Sequence, residues 1–181
     1  GEGKSTTAIN LAITMSHMGQ QVLLVDLDLR KPVVAQSFKL KRKPGFTEAL
    51  FEKETMENVI HVGAIENLSV LTSGELPGNP SELLGAQKTA EFIRKLAEHY
   101  DKIIFDAPPI IPVTDATVLS RLVDATVMVV RGGQTDHKAF IRSAKQLRDI
   151  SGNLAGVVLN DFNVSFAYSS YYYKNQYSYY R

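Results

Sequence analysis

The chain has 181 residues, of which 44% are hydrophobic and 22% charged, with 20 basic residues against 19 acidic ones. This size and composition are typical of one globular domain, and a net charge of +1 argues against binding polyanions through bulk charge. The absence of cysteine excludes disulfides, thiol catalysis and cysteine-ligated metals. No apolar run approaches the roughly 18 residues of a membrane span, so we expect a domain that does not cross a membrane by itself.

Short apolar runs alternate with helical periodicity along the chain. Strands are predicted at residues 22–25, 68–71, 103–105, 125–130 and 156–159, each apolar on both faces as in a parallel sheet. Three amphipathic helices are predicted from faces formed by Ala8, Leu11, Ala12 and Met15, by Phe92, Ile93, Leu96 and Ala97, and by Phe140, Ala144, Leu147 and Ile150. Residues 30–47 and 73–81 are predicted to be long loops. The alternation predicts an α/β fold: three layers, with a mostly parallel central sheet flanked by helices.

A phosphate-binding motif opens the chain. Residues 1–6, Gly-Glu-Gly-Lys-Ser-Thr, match the second half of a Walker A loop, G-x-x-x-x-G-K-[ST], and a helical pattern follows directly. Backbone amides of Gly1, Glu2, Gly3 and Thr6 would surround phosphate oxygens, Lys4 would reach the β- and γ-phosphates, and Ser5 would ligate Mg²⁺. A glycine turn that happens to precede a helix is the alternative. The first glycine of the motif and the strand before it would precede residue 1, so we expect the sequence to be part of a longer protein.

Carboxylates stand at the ends of two predicted strands. Asp26 and Asp28 end the run that begins at Val22, two residues apart, and Asp106 ends the next buried run before Pro108 and Pro109. The carboxyl edge of a parallel sheet is where α/β proteins bind nucleotides. For one such acid alone, a strand-end residue that caps a helix is a reasonable alternative. Three acids beside a Gly-Lys-Ser sequence favour a site for Mg²⁺ and ATP.

Two segments differ from the rest in composition. Residues 30–47 contain no acid and six basic residues, Arg30, Lys31, Lys39, Lys41, Arg42 and Lys43. A solvated loop is slightly favoured there over a surface for an acidic partner. The last 14 residues hold seven of the eight tyrosines, Tyr168, Tyr171, Tyr172, Tyr173, Tyr177, Tyr179 and Tyr180. We therefore divide the chain into a P-loop domain, 1–163, and a tyrosine-rich tail, 164–181, which has few residues to pack and is expected to be disordered alone.

These motifs together resemble one family, the bacterial tyrosine kinases that control capsule and exopolysaccharide synthesis. The sequence 26–32, Asp-Leu-Asp-Leu-Arg-Lys-Pro, is similar to their Walker A′ motif, and 105–109, Phe-Asp-Ala-Pro-Pro, to their Walker B. The sequence 1–5 is similar to the end of their P-loop, and 74–84, which includes Asn79 to Leu84, also resembles theirs. The tyrosine cluster completes the resemblance. Partition and septum-positioning ATPases share the P-loop and Walker B but usually lack the Arg-Lys-Pro ending and the tail.

The resemblance implies an ATP-dependent protein-tyrosine autokinase that phosphorylates its own tail in trans, within a ring-shaped homo-oligomer. It implies a membrane-spanning adaptor, separate or fused before the P-loop, that switches the kinase on at the inner face of the cell membrane. It also implies a cognate phosphotyrosine phosphatase, and a cytoplasmic location reached through the adaptor.

Roles for the site residues follow from phosphoryl-transfer chemistry. Lys4 would neutralise charge, Ser5 would hold Mg²⁺ with Asp106 and Asp28, and Asp26 is the preferred acceptor of the tyrosine proton, although Asp26 and Asp28 could exchange roles. Arg30 is either a ligand for an incoming phosphate or a surface arginine. Asn160 is either a contact to adenine or a loop residue.

Two other functions compete with the kinase. In the first, ATP hydrolysis drives assembly, as in partition and septum-site ATPases, without transfer to tyrosine. In the second, the tail is an aromatic platform for single-stranded nucleic acid, which is the weakest of the three because the tail has only Lys174 and Arg181 as cations.

Overall fold

The structure, a computed structural model, describes residues 1–150 and 152–162. Its helices are α1 (Lys4–His17), α2 (Val34–Ser37), α3 (Phe46–Leu50), α4 (Met56–Val59), α5 (Pro80–Gly85), α6 (Gln87–Ala97), α7 (Asp115–Leu119) and α8 (His137–Asp149). Its strands are β1 (Val22–Asp26), β2 (Ile60–Ile65), β3 (Leu68–Leu71), β4 (Lys102–Asp106), β5 (Thr126–Arg131) and β6 (Leu154–Asn160). The predicted α/β class is therefore confirmed.

The described strands form two sheets. One has the order β2-β3-β1-β4, with β1 parallel to β3 and β4, and with β2 antiparallel to β3. The other is the parallel pair of β5 and β6. The sheets are thus mostly parallel, as predicted, and the antiparallel strand β2 is an addition that the sequence patterns did not indicate.

Strand β1 is the centre of the core, because all five of its residues are buried. Val22 and Leu24 face a cluster that contains Ala12 of α1 and Val34 of α2. Leu23 and Val25 face a cluster that includes residues of α3, α5, α6 and α7: Phe46, Leu84, Phe92 and Leu119. Helices therefore cover both faces of the four-stranded sheet, which gives the predicted three layers.

Three details of the prediction are wrong. Residues 30–47 are not one loop, since α2 and the start of α3 lie there, held by the burial of Val34 and Phe46. Leu11 and Ala97 lie on the exposed sides of their helices rather than on the buried faces. Strands β4, β5 and β6 are only partly buried, so their apolar runs are not covered on both faces.

In the described residues, no helix has both the length and the apolar character that crossing a bilayer requires.

Candidate nucleotide and phosphoryl-transfer site

The loop before α1 has the backbone conformation of a phosphate-binding turn. Gly3 adopts the left-handed conformation, with φ 89°, and its carbonyl accepts the first helical bond, from Thr7 N at 2.9 Å. A Cβ atom at this position would lie 2.1 Å from Asn160 Nδ2. Glycine is therefore required at residue 3 both for its torsion angle and for the close approach of Asn160.

The Lys4 side chain folds back along this loop and pairs with the carboxylate of Glu2. Its Nζ donates to Glu2 Oε2 at 3.2 Å, and both side chains are partly exposed. A backbone hydrogen bond lowers the pKa of Glu2, and Lys4 adds to this effect by hydrogen bonding and by its charge. The lysine is thus placed where a negative group can reach it from solvent.

Asp26 and Asp106 lie side by side at the ends of two adjacent strands. They are register partners in the parallel pair of β1 and β4, and both are almost fully buried. Burial raises the pKa of Asp26 to about 7, and the nearby charges of Asp106 and Asp28 contribute to the rise. Burial also raises the pKa of Asp106, against the opposing effects of Ser5 and Lys4. The P-loop and the two strand ends therefore form one site.

Asp28 lies just beyond the strand and is more accessible than Asp26. Its Oδ1 accepts hydrogen bonds from Arg30 N at 3.3 Å and Lys31 N at 2.9 Å. Asp26 instead accepts one from Val34 N, at 3.0 Å. The two carboxylates proposed to share the chemistry are therefore oriented by different amides of the segment that follows β1.

The acids suit a divalent cation. Asp26 Oδ1 and Asp106 Oδ2 are buried and have no hydrogen-bond partner among the described residues, a costly arrangement that a cation bound at Asp106 and a proton on Asp26 would relieve. Across residues 1–150 and 152–162, no group of three or more Asp, Glu, His or Cys side chains is arranged as a metal cage. Mg²⁺ is typically held by one or two carboxylates together with phosphate oxygens and water, so the residues fit Mg²⁺ bound with a nucleotide.

Asn160 joins the end of β6 to the P-loop. Its Nδ2 donates to the carbonyl of Glu2 at 3.0 Å, across 158 positions of sequence. A cleft of about 110 Å³ lies beside the P-loop, and it is lined by Gly1, Glu2, Arg131, Gln134 and Thr135. The structure therefore gives Asn160 a contact to the P-loop that the sequence did not indicate.

Comparison with known proteins decides the family. A family model described as an AAA domain matches residues 1–154. The tyrosine-protein kinase YwqD of Bacillus subtilis (strain 168) is 39% identical over 165 residues, which cover 91% of this chain and 70% of the relative. The crystal structure of the chimerical protein CapA2B2 superposes with a TM-score of 0.86 at 36% identity, over 90% of this chain and 72% of that one.

The chain belongs to the bacterial tyrosine-protein kinases. The resemblance drawn from its motifs is therefore confirmed. A likeness also extends to the septum site-determining protein MinD of Pyrococcus horikoshii OT3, with a TM-score of 0.72 at 22% identity, over 88% of this chain and 65% of that one. At that identity the likeness shows a shared fold alone.

The structure of this family member also contains two site-adjacent residues that sequence reasoning missed. Asp115, at the start of α7, and Ser81, in α5, both bond to Arg30. Ser81 belongs to the stretch 79–84 that carried part of the family resemblance, which was an available signal. Asp115 had none, because an acid in the first turn of a short helix is indistinguishable from an ordinary cap. The seven tail tyrosines, Tyr168 to Tyr180, lie outside the described residues.

Proposed function

We propose that this bacterial tyrosine kinase uses Mg-ATP to phosphorylate, in trans, the tyrosine cluster of its own tail. One observation carries the proposal: two buried carboxylates lie in register at adjacent strand ends, beside a P-loop lysine and serine. The sequence identity to named tyrosine kinases supports the transfer to tyrosine, and the seven closely spaced tyrosines provide acceptors. Several acceptors on one tail raise the effective acceptor concentration at a neighbouring site.

The phosphate end of the reaction depends on Lys4 and the backbone amides of residues 1–6. Ser5, Asp106 and Asp28 would hold Mg²⁺, which when bound neutralises charge on the phosphate oxygens. The tyrosine oxygen forms a bond to the γ-phosphorus while the bond to the β,γ-bridging oxygen breaks and ADP leaves. Lys4 would stabilise the charge that develops on the leaving oxygen.

The tyrosine end of the reaction needs a base, because a phenol has a pKa of about 10 and keeps its proton at pH 7. Asp26 is our first candidate, since a pKa of about 7 suits proton transfer near neutral pH. Asp26 is buried, which limits the access of a tyrosine side chain. Asp28 is more accessible and is therefore the second candidate. Asn160 would contribute by bracing the P-loop, and its amide would contact the adenine.

The proposal extends to regulation through the family resemblance. The chain is then a P-loop kinase domain, 1–163, with a phosphoacceptor tail, 164–181, that assembles into a ring. A membrane-spanning adaptor would activate it at the cytoplasmic face of the membrane, a phosphatase would reverse the reaction, and capsule or exopolysaccharide synthesis would be the process controlled. Phosphates add about −1.5 to −2 charges each, so a phosphorylated tail would be repelled by the acids of the site.

The decisive experiment incubates the full-length protein with Mg-ATP and detects phosphotyrosine. Lys4→Met should reduce labelling at least 100-fold, whereas Lys145→Met, an exposed lysine of α8, should not change it. Replacing all seven tail tyrosines with phenylalanine should remove the label and leave ATP binding unchanged. ATP hydrolysis without any phosphotyrosine would instead support the septum-type assembly switch.

A mixing experiment tests the trans reaction. A Lys4→Met protein with an intact tail is combined with an active protein that lacks residues 164–181. Label on the inactive protein is expected. Label confined to chains with their own working site would replace the trans mechanism with a cis reaction.

Two further variants separate the acids. Asp28→Asn should require more Mg²⁺, whereas Asp26→Asn should bind Mg-ATP normally and lose transfer. The reverse outcome would exchange their roles.

A further inference from the structure

The Arg30 side chain is bound by the buried carboxylate of Asp115, 85 positions away in the sequence. Its Nε donates to Asp115 Oδ2 at 2.8 Å and its Nη2 to Asp115 Oδ1 at 3.1 Å, the two-point geometry of a strong arginine–carboxylate pair. Asp115 is completely buried, whereas the Arg30 side chain is 39% exposed. The sequence left Arg30 as a phosphate ligand or a surface arginine, but the structure gives its guanidinium an internal partner.

Asp115 connects three parts of the molecule. The hydroxyl of Ser81, in α5, donates to Asp115 Oδ1, and Arg30 Nη2 lies 3.4 Å from the same hydroxyl oxygen. Thr114 donates to Ser81 Oγ at 3.1 Å. Burial alone would raise the pKa of Asp115, but the hydrogen bonds from Arg30 and Ser81 hold it below its usual value. The segment after β1 is thus fixed to α5 and α7 by a charged, hydrogen-bonded cluster.

The same segment orients Asp28. The amide of Arg30 itself, and that of Lys31, are the two donors to Asp28 Oδ1. Any shift of the Arg30 backbone would therefore move both groups that set the direction of the Asp28 carboxylate. No other described hydrogen bond holds that side chain.

We propose that Arg30 is a positioning residue whose attachment to Asp115 and Ser81 keeps the Asp28 carboxylate directed at the metal–phosphate site. Arg30 acts through Asp28 and does not contact the nucleotide. The inference rests on the proposed function only in taking Asp28 as a Mg²⁺ ligand. Partners that orient metal ligands typically change metal affinity about 10- to 100-fold when they are removed.

The first test is calorimetric and uses the full-length protein with ADP, titrated with Mg²⁺ or kept in EDTA. Arg30→Ala and Asp115→Asn should each raise the Mg²⁺ concentration needed for tight binding about 10-fold or more. ADP affinity in EDTA should change less than about two-fold, because no nucleotide contact is removed. Arg30→Lys, which keeps the charge but loses the two-point geometry, should lie between wild type and Arg30→Ala.

Controls separate a positioning role from general damage. Arg94→Ala removes an exposed arginine from α6 and should behave as wild type. The double variant Arg30→Ala/Asp115→Asn should be no worse than Arg30→Ala, since both changes break one connection. Equal losses of ADP affinity with and without Mg²⁺, or an unchanged Mg²⁺ requirement, would overturn the proposal.

A second measurement needs no ligand. In the metal-free Arg30→Ala protein, amide hydrogen exchange should become faster at positions 30 and 31, while the amides of β1 stay protected. Ser81→Ala provides a milder version if the larger changes prevent folding, and unchanged exchange in every variant would overturn the proposal. A wild-type protein that binds Mg-ADP but forms no phosphotyrosine would refute the kinase function and leave the role of Arg30 standing.

Discussion

The two sheets of this molecule are built from similar apolar sequences and yet differ in burial. Every residue of β1 is buried, with β3 and β4 as neighbours and helices on both faces. In β6, Val157, Val158 and Leu159 are 45%, 36% and 51% exposed, and β5 is the partner it pairs with in the described chain. Burial of an apolar run is therefore decided by its neighbours and not by its composition.

The sheets also supply different functional groups. The four-stranded sheet ends in Asp26 and Asp106, whose low solvent access alters their proton affinity. The two-stranded sheet ends in Asn160, a neutral side chain that contacts the P-loop backbone. We infer that the four-stranded sheet supplies the catalytic carboxylates and that the two-stranded sheet supports the P-loop. Four measurements test this division.

The largest effect is expected at the carboxylate of β4. Asp106→Asn should reduce phosphotyrosine formation about 100- to 1000-fold, because a buried charge directed at the metal–phosphate site is lost. Asp149→Asn, at the exposed end of α8, is the matched control and should retain full activity. Near-normal labelling in Asp106→Asn would remove Asp106 from the chemistry and leave Asp26 as the acid that the four-stranded sheet supplies.

The next effect compares one leucine from each sheet by urea unfolding. Leu24→Ala, in the closed core of β1, should lower the free energy of unfolding by about 2–5 kcal/mol. Leu159→Ala, in β6, should lower it by less than about 1 kcal/mol, because half of that side chain is already in water. Equal costs would mean that the exposed face of β6 is covered in the intact protein.

A pH series compares the acids at the two sheet ends. Because the folded pKa of Asp26 is raised to about 7, its contribution to stability is complete below pH 4 and is lost as the pH rises to 7. In EDTA, the wild type should therefore lose stability relative to Asp26→Asn over this range, by up to about 4 kcal/mol, since each unit of pKa difference is worth about 1.4 kcal/mol. Asp161→Asn, which breaks an exposed pair with Arg131, should change stability by less than about 1 kcal/mol. Parallel pH curves for wild type and Asp26→Asn would contradict the argument.

The smallest effect is expected at Asn160. Asn160→Ala removes one hydrogen bond to Glu2, worth about 0.5–1.5 kcal/mol, so Mg-ATP affinity should fall by about two- to thirteen-fold. Asn160→Asp, which keeps the shape but not the donor, should fall at least as far. A loss as large as that of Asp106→Asn would mean that both sheets take part in the chemistry.

Local sequence patterns were sufficient to predict those parts of the fold that depend on one continuous segment of the chain. The runs at Val22, Leu68 and Ile103 predicted β1, β3 and β4, and the acids that follow them predicted the site edge. Asp26 and Asp106 are in register because each is the last residue of its strand, and the two strands are parallel neighbours. Glycine before Lys4 predicted the turn that starts α1.

The remaining features depend on contacts between distant segments, which no local pattern contains. Helix α2 forms because Val34 and Ala35 find a buried surface beside β1, although Pro32 and several lysines around them indicate a loop. The exposure of Leu159 depends on how many strands flank β6. Asp115 and Arg30 are 85 positions apart, and only the fold reveals that they form an ion pair.

The contact between Lys4 and Glu2 has a consequence for ionic strength. A partly exposed ion pair is worth at most about 1 kcal/mol, so an arriving phosphate displaces the Glu2 carboxylate easily. Lys4 therefore exchanges the Glu2 carboxylate for a phosphate, instead of pairing with an anion for the first time. Added salt screens the old partner as well as the new one, and nucleotide binding should consequently respond to salt less steeply than a free lysine would dictate.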